Sequence, residues 1–208
     1  MVDSSCKICR RAGQKLFLKG ERCFSPKCAI IKRPYAPGKK GKRRPSPLSE
    51  YGRELREKQE LKAWYNLREA QFRNYVKEVL GKKGSGEAGN SLIKKLESRL
   101  DNVIFRSGFA SSRAQARQLA AHGFFLVNEK RIKSPSYQVK KGDKIKFLHS
   151  KREKKNIKSL KTLLKKYQPP VWLKIDKENL EAEVIGIATL EEAAPPIEIS
   201  SVFEFYSR

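Results

Sequence analysis

Histidine, methionine and acidic side chains are scarce in this chain. Its 208 residues hold two histidines, one methionine, and 22 Asp and Glu against 47 Lys and Arg, a formal net charge of +25. No apolar run approaches the roughly 18 residues that a membrane span needs. The opening Met1-Val2-Asp3-Ser4-Ser5 lacks the apolar run of a secretory signal. No glycine-rich phosphate loop occurs, and no serine or cysteine has a credible base near it, which leaves hydrolytic and phosphoryl-transfer chemistry without its parts. Of the two histidines, His149 reads as surface loop, while His122 follows an arginine-bearing helix and could contact base or phosphate. The remaining excess of positive charge self-repels unless a partner neutralises it. A phosphate backbone fits that role. An anionic membrane surface fits it less well, because the chain shows no lipid anchor and no interfacial helix.

Cysteine is absent after residue 28, and the four present are clustered: Cys6, Cys9, Cys23 and Cys28, spaced C-x2-C-x13-C-x4-C. Four thiolates at such spacing suit a tetrahedral zinc ion, with a hairpin expected between the two pairs. Lys7, Arg10, Lys15 and Lys27 would offset the thiolate charge. All four ligands being protein groups, the zinc would be structural. A [4Fe–4S] cluster is the rival, and two disulfides are the third arrangement.

Residues 32–47, KRPYAPGKKGKRRPSP, hold seven basic side chains, four prolines and no acid. Such a segment cannot bury a core and should lie extended on a partner, with Lys39, Lys40, Lys42, Arg43 and Arg44 as phosphate contacts. A helical pattern starts near Ser49 (Leu55, Leu61, Trp64), breaks at Tyr65-Asn66, and resumes with Phe72, Tyr75, Val76 and Val79 on one stripe, Asn66 serving as cap. Residues 81–89 read as a loop, after which Asn90 or Ser91 caps a third helix bearing Leu92, Leu96, Leu100 and Val103 or Ile104. Ser111 or Ser112 caps RAQARQLAAH, stopped by Gly123, with Ala114, Leu119 and Ala120 inward and Arg113 and Arg117 sharing an outer face with Gln118. Residues 124–127, 131–132 and 144–147 read as short strands around turns at 128–130 and 141–143. Residues 151–166 read as a basic helix ended by Pro169-Pro170. Residues 176–208 then reverse the charge, with eight acids against Lys177 and Arg208. This acidic end neutralises the chain's own basic face or meets a basic partner, and its apolar close, 202–206, should pack on the early helices.

The stretch Ser98–Ile145 resembles the RNA-binding module named after the fourth protein of the small ribosomal subunit. The resemblance rests on RLDN at 99–102, SRAQARQL at 112–119, HG at 122–123, VN at 127–128 and PSYQVKKGD at 135–143. The CxxC and GERC (20–23) of the N-terminus, RRP at 43–45, LREKQ at 55–59, QFRNYV at 71–76 and EFYSR at 204–208 are similar to the full-length bacterial family, including its zinc-bearing form. The resemblance therefore implies an α+β protein. Residues 1–45 would be a four-cysteine metal-bound extension and basic linker, and 46–96 a mostly helical domain completed by about 176–208. Residues 97–175 would be an inserted RNA-binding module of two helices against a small antiparallel curled sheet, with the basic helix after it. Carried over by position, Arg113, Arg117, Gln118, His122, Lys140 and Lys141 would face RNA from the module, and Arg53, Arg56, Lys58 and Arg73 from the helical domain. The implied role is that of a non-enzymatic cytoplasmic constituent of the small subunit. It would bind the 5′ domain of small-subunit rRNA, nucleate assembly, contribute to decoding accuracy through the fifth small-subunit protein, and lie near mRNA where it enters. The chain departs from the family's pattern in its VDSS opening and in Arg68, which stands where a capping serine is usual.

Two other functions would use the same features. Pseudouridine synthases and other RNA-modifying or regulatory RNA-binding proteins carry the same module, but the synthases need a separate catalytic domain for which no stretch here is long enough. A zinc-dependent DNA-binding regulator would want a dimerisation surface or a recognition helix, and neither is visible.

Overall fold

The computed structural model describes residues 5–38, 47–81, 88–148, 164 and 167–207. Lys39, Lys40, Lys42, Arg43 and Arg44 lie outside these residues, as do His149 and, except for Leu164, the expected basic helix 151–166. The chain divides into two compact units: Met1–Leu92 with Pro195–Arg208, and Ile93–Ala194. The second is thus an insertion in the sequence of the first, with the boundary inside one helix.

The first unit begins with three short helices, α1 (Ser5–Ala12), α2 (Glu21–Phe24) and α3 (Ala29–Lys32). The hairpin expected between the cysteine pairs is not formed among the described residues. Gly13, at φ +75°, closes α1 by donating to the Cys9 carbonyl, and the chain turns back through a second short helix instead of a strand pair. Arg10 fastens the residues after α3: its Nε donates to the carbonyls of Arg33 and Tyr35, with the guanidinium 5.1 Å from the centre of the Tyr35 ring.

The next helix, α4 (Glu50–Trp64), starts where Ser49 accepts from the Gly52 N–H. It ends at Asn66, whose φ of +54° places it in the left-handed region. Asn66 therefore terminates α4 and does not cap α5 (Glu69–Leu80), which opens at Arg68 without a side-chain cap. Leu61, Phe72, Val76 and Val79 are buried. The closing helix α10 (Ile199–Ser207) packs across α4 and α5 and buries Val202.

One ionic cluster fastens that closure. The carboxylate of Glu69 accepts from Lys58 Nζ (2.7 Å), Lys62 Nζ (2.8 Å) and the Tyr206 hydroxyl (2.9 Å). Lys58 also sits over the ring of Phe205 at 4.3 Å. Partial burial pushes the Glu69 carboxyl up, but these three donors outweigh it and hold it at about 2. Burial and the Glu69 contact together raise the Tyr206 hydroxyl above its ordinary value.

The second unit contains the end of α6 (Ala88–Glu97), then α7 (Leu100–Arg106) and α8 (Arg113–Ala121). Asn90 and Ser91 lie within α6 and do not cap it. The single helix expected through Val103 is broken at Ser98-Arg99, because the first N–H groups of α7 find partners elsewhere. Leu100 donates to the Tyr137 carbonyl and Asp101 to that of Pro135. Ser112 caps α8 by accepting from the Gln115 N–H.

A five-stranded antiparallel sheet has the order β2-β1-β3-β5-β4, with β1 Phe125–Val127, β2 Lys130–Arg131, β3 Lys144–Phe147, β4 Leu173–Asp176 and β5 Glu181–Val184. Three of these strands match the sequence pattern. Strands β4 and β5 do not: residues 173–184, assigned partly to the helical domain, extend this sheet. The acidic strand β5 pairs with the basic strand β3, placing Lys144 opposite Glu183 and Lys146 opposite Glu181, a favourable cross-strand arrangement. Phe109, Phe125 and Phe147 form an aromatic cluster at the centre of the core, with ring centres 4.4 to 6.2 Å apart. A capping box on Thr189 and Glu192 opens α9 (Leu190–Ala193) at the end of the unit.

The Glu69 cluster sets a pH dependence. Its stabilisation is complete above the ordinary carboxylate pKa of 4.5 and is lost as pH falls through about 2. With Trp172→Phe as background, Trp64 fluorescence follows the first unit alone. Glu69→Gln should cost it about 1 kcal/mol in urea at pH 7, after discounting for the half-exposed carboxylate, and the difference should shrink as pH falls from 4.5 and be lost below about 2.

Candidate nucleic-acid interface

The cysteines come together but do not form the expected metal centre. Cys9, Cys23 and Cys28 are buried, Cys6 is half-buried, and all four thiols are free. They share the wall of a cleft of about 20 Å³ with Leu18, Ala29 and Ile30. The Lys19 N–H donates to Cys23 Sγ at 3.3 Å. Burial pushes the Cys9 thiol up, against a backbone hydrogen bond at Leu16, and the charge of the other three cysteines adds to the rise. Metal ligation would require the thiolates to converge on one point at about 2.3 Å. Among the described residues, no group of three or more His, Cys, Asp or Glu side chains is placed to hold a metal ion. The zinc assignment, its iron–sulfur alternative and the metal-bound form of the N-terminal segment are therefore corrected. Cys9 packs instead with Ala12 and Leu16, and Ile8, Leu18 and Trp64 lie against them.

The basic residues divide into two groups. Some have their charge held inside the protein. Arg113, expected on the outer face of α8, is buried: its Nε donates to Asn102 Oδ1 at 2.8 Å and its guanidinium covers the Phe105 ring at 4.5 Å. Asn102 in turn donates to Glu97, whose carboxylate also accepts from Arg106 Nε (3.0 Å) and Nη2 (2.8 Å). Lys58 is buried in the Glu69 cluster. Arg56 is exposed but pairs with Glu60 and donates to the Ala12 carbonyl, holding the N-terminal helices to α4. On the inward side of α8 Ala120 is buried and Leu119 packs half-buried against the core as expected, whereas Ala114 is exposed and Ala116 takes the inward position.

The others face outward. On α8 and just beyond it, Gln118 and His122 are exposed and Arg117 is half-buried. Gly123 follows at φ +65°, so close to Arg131 that an added Cβ would stand 2.6 Å from its Nε. Arg131 donates to the carbonyls of Gly123 (3.0 Å) and His122 (3.3 Å), which fixes the end of α8 and keeps an exposed cation beside it. Sequence reading missed this arginine, although the glycine after His122 was the available signal for a close approach. Lys140 and Lys141 are exposed on the turn before β3, where Asp143 accepts from the Lys140 N–H. Together with Lys94 they line a cleft of about 250 Å³ floored by Val103, Val139 and Trp172. In the first unit Arg53 and Arg73 are exposed.

Exposed cations around a rigid sheet and helix, in a chain of net charge +25, define a nucleic-acid-binding protein with no catalytic constellation among the described residues. The comparisons with known proteins narrow this class. The model of the Ribosomal protein S4/S9 N-terminal domain matches residues 2–97 and that of the S4 domain residues 98–145. Small ribosomal subunit protein uS4 of Natranaerobius thermophilus is 47% identical over 203 residues, covering 98% of this chain and 96% of that protein. The proteins of the same description from Kosmotoga olearia and Caldicellulosiruptor saccharolyticus are 46% and 45% identical, over 98% and 100% of this chain and 96% and 98% of their own lengths. The chain belongs to the uS4 family of small ribosomal subunit proteins. Its role is structural and rRNA-binding, not enzymatic. Among the described residues no helix is long and apolar enough to cross a membrane.

The two arginines of α8 should respond differently to truncation. Arg113→Ala removes a charged hydrogen bond from a buried acceptor and should cost about 2–3 kcal/mol in urea. Arg117→Ala should stay within about 0.5 kcal/mol of the unsubstituted chain.

Proposed function

We propose that this protein is a primary binder of the 5′ domain of small-subunit rRNA and nucleates assembly of that subunit in the cytoplasm. Arg117, Gln118 and His122 at α8, with Lys140 and Lys141 on the turn before β3, are its RNA-facing residues in the second unit. Arg53 and Arg73 serve in the first, and the segment holding Lys39, Lys40, Lys42, Arg43 and Arg44 adds phosphate contacts. Arg113, Arg56 and Lys58 act through the framework and not by touching RNA. The reading includes contact with the fifth small-subunit protein, through which the chain contributes to decoding accuracy, and a position near mRNA where it enters the subunit. Family membership supports these partners.

The observation that carries the RNA reading is the exposed end of α8. Its polar side chains stand on a short helix fixed from below by the buried Arg113–Asn102–Glu97–Arg106 chain and capped by Arg131. A rigid array of donors suits an RNA whose phosphates and shape are read more than its sequence.

Binding to the folded 5′ domain, measured across a salt series against double-stranded DNA and scrambled RNA of equal length, tests this. The folded rRNA should stay bound at salt concentrations that release both controls. Arg117→Gln with Lys141→Gln should weaken binding and reduce the slope of log affinity against log salt by about 1 for each phosphate no longer neutralised. Equal binding of all three nucleic acids, or an unchanged slope in the double variant, would count against the assignment.

A further inference from the structure

The N-terminal helices carry an exposed aromatic pair that neither the core nor the RNA-facing set above accounts for. Phe17 and Phe24 stack with ring centres 4.9 Å apart and planes 28° from parallel. Both are exposed, Phe17 by 40% and Phe24 by 75%. Stacking on Phe17 covers one face of Phe24, and this degree of exposure leaves the other to solvent. Phe17 is held at φ +52°, a conformation costly for a bulky side chain. Its neighbours impose it: Leu16 is buried and Leu18 packs against the same small cluster. The cost is thus met where the ring is presented outward, not where it fills a core.

The surroundings select the ligand. Residues 5–38 hold nine Lys or Arg and a single acid, Glu21. Lys19, Arg22 and Lys27 lie close in sequence to the two rings, Arg22 and Lys27 exposed and Lys19 half-buried. An apolar partner surface would need no such charge, and a cationic or neutral protein face would be repelled or indifferent. Aromatic faces among cations match an unpaired nucleotide, whose base stacks while its phosphates meet the basic side chains.

We propose that Phe17 and Phe24 form a stacking platform for an unpaired base of rRNA, with Phe24 as the ring that meets the base. The proposal rests on the rRNA-binding reading and adds an aromatic base contact to the polar and basic RNA-facing residues above. It also gives the N-terminal segment a recognition role that needs no bound ion.

The full-length chain and its Phe24→Ala, Phe24→Leu and Phe24→Tyr variants are compared for affinity to the folded 5′ domain, with chemical modification of unpaired bases read at single-nucleotide resolution. Phe24→Ala and Phe24→Leu should lose about 5- to 160-fold in affinity, the range for removal of a base–aromatic stack. Phe24→Tyr should bind normally. The salt slope should not change, since no cation is removed, and one unpaired base protected by the unsubstituted chain should become reactive in the first two variants. Circular dichroism should be the same for all four, because the ring lies outside the core. Affinity and protection unchanged in Phe24→Ala, or fully retained in Phe24→Leu, would overturn the platform and leave the rings to a protein neighbour. Failure of the unsubstituted chain to prefer folded rRNA would remove the broader reading along with it.

Discussion

The buried polar chain running from Glu97 through Asn102 to Arg113, with Arg106 on its other side, is the constraint around which the inserted unit is organised. Glu97, Asn102 and Arg113 are all buried, and Arg106 carries the connection on to the Ala193 carbonyl at 2.8 Å. Beside it Arg99 and Asp101 form a second buried pair, bidentate at 3.0 and 2.6 Å. Removing one partner of such a pair strands the other charge out of water, at a cost of about 3–5 kcal/mol. The network joins α6, α7 and α8 and reaches the end of α9, so the break between α6 and α7 is held by bonds on both sides. The backbone ends freed at that break are taken up by the carbonyls of Pro135 and Tyr137, which brings the 134–139 loop under the same constraint.

This gives the residues 99–102, RLDN, a physical meaning that their resemblance alone does not supply. Arg99 packs and pairs, Leu100 enters the core, Asp101 answers Arg99, and Asn102 relays between Glu97 and Arg113. None of the four is exposed. A motif that marks an RNA-binding module is therefore architectural here, its four side chains spent on packing and pairing. Arg113 was misread for the same reason. Arginine is rarely buried unless paired, and its acceptor, Asn102, and the Phe105 ring lie on a different helix, where no local periodicity points to them.

Local signals were legible where the chemistry is local. The helix expected from near Ser49 begins there, the cap expected at Ser111 or Ser112 is Ser112, and the alternation of Lys144-Ile145-Lys146-Phe147 gives a strand with Ile145 and Phe147 buried. What stayed hidden depends on partners distant in the chain. Residues 173–184 carry two four-residue strands that pair with each other, and what joins them to the rest of the sheet is the pairing of β5 with β3, far earlier in the chain. Its acidity, which reads as repulsion from RNA, is met within the protein. Lys146 bonds Glu129 at 2.9 Å and Glu181 at 3.4 Å. The cysteine spacing was equally visible, yet spacing reports only that four thiols can approach one another. Ligation requires that they converge, and the structure places them along a cleft wall.

Net charge alone would give a sticky polycation, since phosphate attraction is indifferent to sequence and shape. Discrimination requires that the cations stand at fixed separations. The structure commits part of its basic side chains inward: Arg99, Arg106 and Arg113 in one unit and Lys58 in the other, each bonded to a carboxylate or an amide oxygen. Each of these costs the surface one attractive charge and fixes the helix that carries the rest. Arg131 does both at once, tying off α8 through two carbonyls while remaining exposed beside His122. A chain with the same composition but these arginines turned outward would bind polyanions more strongly and distinguish them less. The division of charge between framework and surface is what gives a basic chain a fixed pattern of cations.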